Sequence, residues 1–275
     1  MTWWQALLLG IVEGVTEYLP VSSTGHLILT SWMLGLAEDD ELWSAVFTFE
    51  IVIQAGAIAA VFGLYRQRVG SLIRGVLGRD EQGRHLALCL VIAFFPAAVF
   101  GLLLRDLIED HLHGPYPVIL ALAVGGIAMV ILWRRPTFQR NSQKGQPLVQ
   151  LTLSAALLIG LAQCLALWPG TSRSMVTLVA AIALGLCSRD AAEFSFLLGG
   201  ITLSAATAYQ AYQGGGDMLQ QIGWLPLVIG FVSATVSAAL AVRWFVEFLV
   251  RRGLEPFGWY RVAIAALMLA VLQLG

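Results

Sequence analysis

Charge is scarce in this chain. Of its 275 residues only 12% are Asp, Glu, Lys or Arg, about half the share of an average soluble domain. A net charge of −1 leaves no basic surplus, which excludes a general nucleic-acid binder. The amino-terminal MTWWQALLLGIVEG lacks the basic start and small-residue cleavage site of a signal peptide, so it is expected to be retained. Cysteine is sparse as well. Cys89, Cys164 and Cys187 are dispersed through apolar runs at no metal-like spacing, and they read as packing.

Apolar sequence, by contrast, makes up 58% of the chain. Runs at about 45–65, 86–104, 116–134, 191–212, 223–245 and 257–274 approach or exceed the ~20 residues that cross a bilayer core. Two further stretches, about 3–36 and 149–187, are apolar but interrupted near the middle by Pro, Ser, Thr and Gly. Irregular backbone survives at membrane depth only where protein or a wet cavity surrounds it, so these segments read as re-entrant hairpins. The expected fold is all-α: a polytopic membrane protein of six transmembrane helices plus two re-entrant helical hairpins, in one membrane domain.

Basic residues set the orientation. Arg66, Arg68, Arg74, Arg79 and Arg84 fill one loop; Arg134, Arg135, Arg140 and Lys144 another; Arg251 and Arg252 a third. The intervening loops hold Arg105 alone or, around 213–222, no Lys or Arg, so the basic loops should be cytoplasmic. The acidic run Glu38–Glu41 then falls outside. Tryptophans such as Trp3, Trp4 and Trp224 suit the membrane interface. His85, His111 and His113 lie in loops and take no assigned role.

The two broken stretches also resemble each other. GIVEGVTEYLPVSST from Gly10 lies on GLAQCLALWPGTSRS from Gly160, with Glu13 opposite Gln163 and, after one gap, Pro20 opposite Pro169. FTFEIVIQAGAIAA from Phe47 echoes FSFLLGGITLSAAT from Phe194. Each half is then one hairpin and three spans, repeat one about 1–140 and repeat two about 148–275. Three spans being odd, the second half enters upside down. Inverted repeats with polar breaks in matching places point to a site at the bilayer midplane.

The chemistry sits at those breaks. Glu13 and Glu17 share a helix face at i, i+4, about 6 Å apart; two carboxylates so close either share a proton or bind a cation, for which Mg²⁺ or Ca²⁺ suit oxygen ligands. After Pro20 come Ser22, Ser23, Thr24, Gly25 and His26, whose hydroxyls and free N–H groups at a helix start form an anion cradle, simple capping being the plainer alternative. PGTSRSMVT, from Pro169, repeats the pattern in Thr171, Ser172 and Ser174 and adds Arg173, with Thr177 a turn further on. A guanidinium grips phosphate in bidentate fashion; an ion pair with Glu13 or Glu17 is its alternative role. Glu50 and Gln54 are a second i, i+4 pair that supports the hairpins or ties the first span to them. This inventory fits phosphoryl transfer on a lipid phosphate or diphosphate.

At these residues the sequence resembles the undecaprenyl-diphosphate phosphatase family, the bacitracin-resistance proteins. The motifs are EGVTEYLPVSSTGH from Glu13, FEIVIQ from Phe49, and QCLALWPGTSRS from Gln163 through to EFSFLL at Glu193. The resemblance implies hydrolysis of undecaprenyl diphosphate to the monophosphate and inorganic phosphate, recycling the carrier lipid of peptidoglycan synthesis. It implies dependence on a divalent cation, a bacterial inner membrane and a site opening to the periplasm. The family's acidic pair maps onto Glu13 and Glu17, its serine onto Ser23, its histidine onto His26 and its arginine onto Arg173. The partners are then the polyprenyl diphosphate and membrane lipids; a homodimer is compatible with the pattern. Ser23 is the favoured nucleophile, with His26 or Glu17 taking its proton, and a metal-activated water is the alternative. A lipid-phosphate transporter or flippase is the rival class, since inverted repeats are transporter architecture.

Overall fold

In the computed structural model, the described residues are all but 37–39, 105, 106, 109–111, 113 and 275, with backbone alone at 40, 41 and 274. Glu38, Asp39, the side chains of Asp40 and Glu41, Arg105, His111 and His113 therefore lie outside the described residues.

Twelve α-helices are described: α1 (Trp3–Thr16), α2 (Ser23–Met33), α3 (Asp40–Leu64), α4 (Arg66–Val76), α5 (Glu81–Leu103), α6 (Pro115–Trp133), α7 (Pro136–Lys144), α8 (Leu153–Gln163), α9 (Arg173–Ala183), α10 (Ser188–Ile222), α11 (Trp224–Arg252) and α12 (Glu255–Leu274). Six of them, α3, α5, α6, α10, α11 and α12, are long and apolar enough to cross a membrane. Their outward faces carry large exposed apolar side chains such as Val91, Phe95, Val124, Ile127 and Ile131. Water does not tolerate so continuous an apolar surface, and the chain is a multi-pass membrane protein. Trp3, Trp4 and Trp224 are exposed at helix starts, where interface anchors would stand.

Two expectations need correction. The break expected around 213–222 is helix: α10 runs unbroken through Gly214, Gly215 and Gly216 to Ile222. Met218 and Ile222 are buried with Ala6, Leu9, Val46 and Phe49, and this packing overrides the weak helix preference of three glycines. His85 is likewise helical, in the second turn of α5, where its Nε2 meets the Leu151 carbonyl at 2.8 Å. Asp80 caps this helix, its side chain accepting from the Gly83 N–H at 2.9 Å, and that bond with the Ser71 hydroxyl holds its carboxyl below the usual range.

The short helices are placed by exchange. α1 packs on α11 and α8 packs on α5; α3 meets both α10 and α11; α5 also meets α10, and α6 pairs with α12. Elements of each half thus lie against elements of the other. Glycine makes the tightest of these contacts. A Cβ on Gly10 would stand 2.4 Å from the Gly230 carbonyl oxygen, and one on Gly160 would stand 2.4 Å from that of Ala93.

A Cβ at Gly14 would lie 2.3 Å from the Ala234 carbonyl oxygen, a backbone atom that cannot swing away. Gly14→Ala should therefore lower thermal stability in detergent, by about 1–3 kcal/mol. Gly63→Ala, with nothing within 4 Å, should not. Equal melting curves for both would refute this close-packing account.

Candidate active site at the two helix breaks

Proline stops α1. Pro20 has no N–H to continue the ladder and disfavours helical backbone in the residue before it, so the chain turns over residues 17–22 and restarts at Ser23. α8 ends at Gln163, passes through a 3₁₀ turn at Cys164–Leu167, crosses Pro169 and restarts at Arg173. Each restart follows a serine in left-handed backbone: Ser22 at φ 73°, ψ 101° and Ser172 at φ 71°, ψ 107°. Among the described residues these are the non-glycine positions with positive φ. Such backbone costs about 1–3 kcal/mol per residue and persists only where its surroundings enforce it.

Ser23 and Arg173 consequently occupy the same place, the first position of the restarted helix, and both meet one carboxylate. Ser23 Oγ donates to Glu17 Oε2 at 2.6 Å, and Arg173 Nη2 donates to Glu17 Oε1 at 2.8 Å. The Glu17 and Arg173 side chains are 6% and 10% exposed, so this is a buried ion pair. The second guanidinium nitrogen of Arg173, Nη1, donates to the Ser195 carbonyl of α10 at 3.2 Å, and the guanidinium lies 5.4 Å from the Tyr18 ring centre. Of the two expected roles for Arg173, pairing with Glu17 is the one seen. It leaves the phosphate role open, because an ion pair can be exchanged for a ligand.

The hydroxyls around this contact divide by task. Ser174 Oγ donates to the Leu19 carbonyl at 2.8 Å, tying the start of α9 to the first turn. Ser172 Oγ accepts from the Met175 N–H at 3.3 Å and so caps α9. Thr177 Oγ1 donates to the Arg173 carbonyl at 2.9 Å and lies 2.6 Å from Ser195 Oγ. Ser22 makes no side-chain cap, and its carbonyl meets the His26 ring. Gly25 is buried, Thr171 half-buried and Thr24 exposed.

His26 is occupied elsewhere. Its Nδ1 lies 2.7 Å from the Ser22 carbonyl and its Nε2 lies 2.8 Å from the Tyr260 hydroxyl. A carbonyl only accepts, which assigns the proton to Nδ1 and leaves Nε2 to accept from Tyr260. The group in hydrogen bond with Ser23 is Glu17, not His26.

Glu13 is fully buried, and neither of its carboxylate oxygens has a hydrogen-bond partner. Gln163, at the matching position of the second break, is buried with both side-chain polar atoms unpartnered. Such groups are costly unless something pairs with them. Glu50 is satisfied: its Oε1 accepts from Ser31 Oγ at 2.7 Å, which ties α3 to α2. Gln54 sits half-buried one turn further along α3.

Sequence reasoning missed Tyr260 and Arg261. Arg261 is fully buried, and the signal for it was present as an arginine inside the last apolar run, FGWYRVAIAALML. The rule that singled out Arg173 applied to it equally.

A cavity of about 480 Å³ reaches Arg173 and Gln163 between α5 and α10, with Phe94, Ala97, Leu102 and Leu203 among its apolar walls. A larger groove of about 890 Å³ between α1 and α11 is walled by residues such as Leu7, Ile11, Val232 and Leu240. None of the expected site residues lines it, and it reads as lipid-facing surface.

The family profile described as bacitracin resistance protein BacA matches residues 6–267. An undecaprenyl-diphosphatase of Sorangium cellulosum (strain So ce56) is 46% identical over 271 residues, covering 98% of this chain and 86% of the relative. One from Acinetobacter baumannii is 41% identical over 265 residues, covering 96% and 94%. Undecaprenyl-diphosphatase 1 of Stutzerimonas stutzeri (strain A1501) is 40% identical over 271 residues, covering 98% and 94%.

Removing one partner of a buried ion pair leaves the other unpaired, at about 3–5 kcal/mol. Glu17→Ala should destabilise the protein by that order, measured by reversible unfolding in mixed micelles. Glu17→Ala combined with Arg173→Met should cost less than the sum of the single changes, by roughly 0.5–3 kcal/mol. Strict additivity would mean that the pair contributes nothing.

Proposed function

This chain belongs to the bacitracin resistance protein BacA family, and on that premise we propose that it hydrolyses undecaprenyl diphosphate to undecaprenyl phosphate and inorganic phosphate. The observation that carries the chemistry is the Glu17 carboxylate, held at once by the Ser23 hydroxyl and the Arg173 guanidinium. A nucleophile, a base within 2.6 Å of it and a cation at one point are what phosphoryl transfer from a bound anhydride requires.

In this reading Arg173 and the free N–H groups of the first turns of α2 and α9 receive the diphosphate. Ser23 Oγ attacks the terminal phosphorus as its proton passes to Glu17 Oε2. The bond to the bridging oxygen breaks, undecaprenyl phosphate leaves, and water then releases phosphate from Ser23. The unpartnered carboxylate oxygens of Glu13, beside Glu17, fit a divalent cation such as Mg²⁺ or Ca²⁺. Among the described residues no group of three or more His, Cys, Asp or Glu is gathered for a metal. Glu13 and Glu17 would therefore hold the ion together with substrate oxygens and water, and its chemistry is neutralisation of phosphate charge. His26, held by Ser22 and Tyr260, keeps the first turn in shape. The cavity beside Arg173 has the apolar walls that a polyprenyl chain needs.

The two broken segments are read as re-entrant hairpins of an inverted repeat, with basic loops in the cytoplasm of a bacterium and the site open to the periplasm. Support comes from the exchanged packing of α1 on α11 and α8 on α5, and from the matching backbone at Ser22 and Ser172. That same packing favours a second reading, a lipid-phosphate flippase.

Phosphate release from a polyprenyl diphosphate by purified protein separates the two. Release should require Mg²⁺ or Ca²⁺ and stop on chelation. Ser23→Ala should lower it at least ~10²-fold, Glu17→Ala by ~10²–10⁴-fold, and Arg173→Ala by ~10²–10³-fold. A trapped phosphoserine at Ser23 would support the covalent route, while near-normal turnover by Ser23→Ala would assign the attack to water. No release with either metal would favour the flippase.

A further inference from the structure

Two neighbouring residues of α12 take no part in the steps above, yet both reach the helix breaks. Arg261 donates through Nη2 to the Ala121 carbonyl of α6 at 3.0 Å and to the Gly170 carbonyl at 3.1 Å. Its Nη1 reaches the Pro20 carbonyl at 3.5 Å. Pro20 and Gly170 are the turning points of the two breaks, so one guanidinium spans both. Each held carbonyl lies three residues before a first helical position: Pro20 before Ser23, Gly170 before Arg173. Moving either turn moves the site residue that follows it.

The space for this side chain is built in. α6 carries Gly125 and Gly126 against it; a Cβ on Gly125 would stand 2.5 Å from Arg261 Nη2, and one on Gly126 would stand 3.0 Å from Arg261 Cβ. Gly170, at φ +90°, lies against α6 as well, with room for no Cβ beside the Val118 carbonyl oxygen at 2.6 Å. Among the described residues no carboxylate pairs with Arg261; it bonds to carbonyls. A buried cation is an expensive way to fill volume, and an apolar side chain of similar size often serves stability as well or better. One residue earlier, the Tyr260 hydroxyl holds His26 Nε2 at 2.8 Å, with the two rings 6° from parallel.

We infer that Tyr260 and Arg261 are positioning residues: the pair fixes the two breaks relative to one another, and so sets the Ser23–Glu17–Arg173 geometry. The inference rests on the phosphatase reading. Displacement of reacting groups by about 1 Å costs on the order of 10²-fold in rate, and this is where a positioning role shows.

The test is steady-state phosphate release by Arg261→Met, Arg261→Lys, Gly125→Ala and Tyr260→Phe, each with its thermal midpoint. Arg261→Met and Gly125→Ala should lower kcat by roughly 10²-fold with KM within about threefold of the parent. Arg261→Lys keeps the charge but loses the fork, and should restore only part. Tyr260→Phe should lower kcat on the order of 10-fold, again without a matching rise in KM. Gly125→Ala and Tyr260→Phe keep the test decisive if Arg261→Met does not fold. Unchanged kcat per folded protein, or a rise in KM alone, would overturn the inference while leaving the phosphatase reading intact. A parent protein that releases no phosphate would overturn both.

Discussion

Everything at the centre of this molecule depends on burying the Glu17–Arg173 ion pair. Each charge would be costly in an apolar interior without the other, and they come from segments 156 residues apart in sequence. To meet, two helices must stop and restart so that the first residue of each new helix faces the same carboxylate. Proline ends the first, a 3₁₀ turn and proline end the second, and two strained serines aim the restarts. α1 packs on α11 and α8 on α5, and the two breaks meet through Arg173–Glu17 and Ser174–Leu19. Gly10 and Gly160 permit that approach by having no side chain in the way.

Three acidic residues meet in this region with three different states. Glu17 is doubly hydrogen-bonded, Glu50 is satisfied by Ser31, and Glu13 has no partner on either oxygen. A structural requirement explains the second. The first and third differ from it in having bonds that a ligand can exchange or complete. In the proposed reaction the chemistry falls to Glu13 and Glu17, while Glu50 fastens α2 to α3.

Much of this was legible in the sequence because membrane burial makes polar residues conspicuous. The six spans follow from run length, and the candidate site from Glu13, Glu17, Ser23 and Arg173 standing in apolar context, of which Glu17, Ser23 and Arg173 meet in hydrogen bonds. What was not legible depends on tertiary contact. The extension of α10 through three glycines is decided by the burial of Met218 and Ile222, which no local propensity contains. The choice of Glu17 over His26 as Ser23's neighbour turns on which way the imidazole faces, and Tyr260, some 234 residues away, decides that. Arg261 could have been found from its setting alone. Run length alone does not single it out, because its helix is long and apolar enough to cross a membrane with the arginine in it.

The bond between Arg173 and Glu17 also has a consequence for timing. One Glu17 oxygen is engaged by the guanidinium and the other by the Ser23 hydroxyl. A bound diphosphate offers Arg173 more oxygens and more charge than a single carboxylate does. In the proposed reaction the guanidinium turns to phosphate while Glu17 stays bonded to Ser23 Oγ. The same ligand that is to be attacked would thus free one oxygen of the Glu17 carboxylate from the guanidinium. The ion pair gives each of these two charges a partner at a depth where a lone charge is costly.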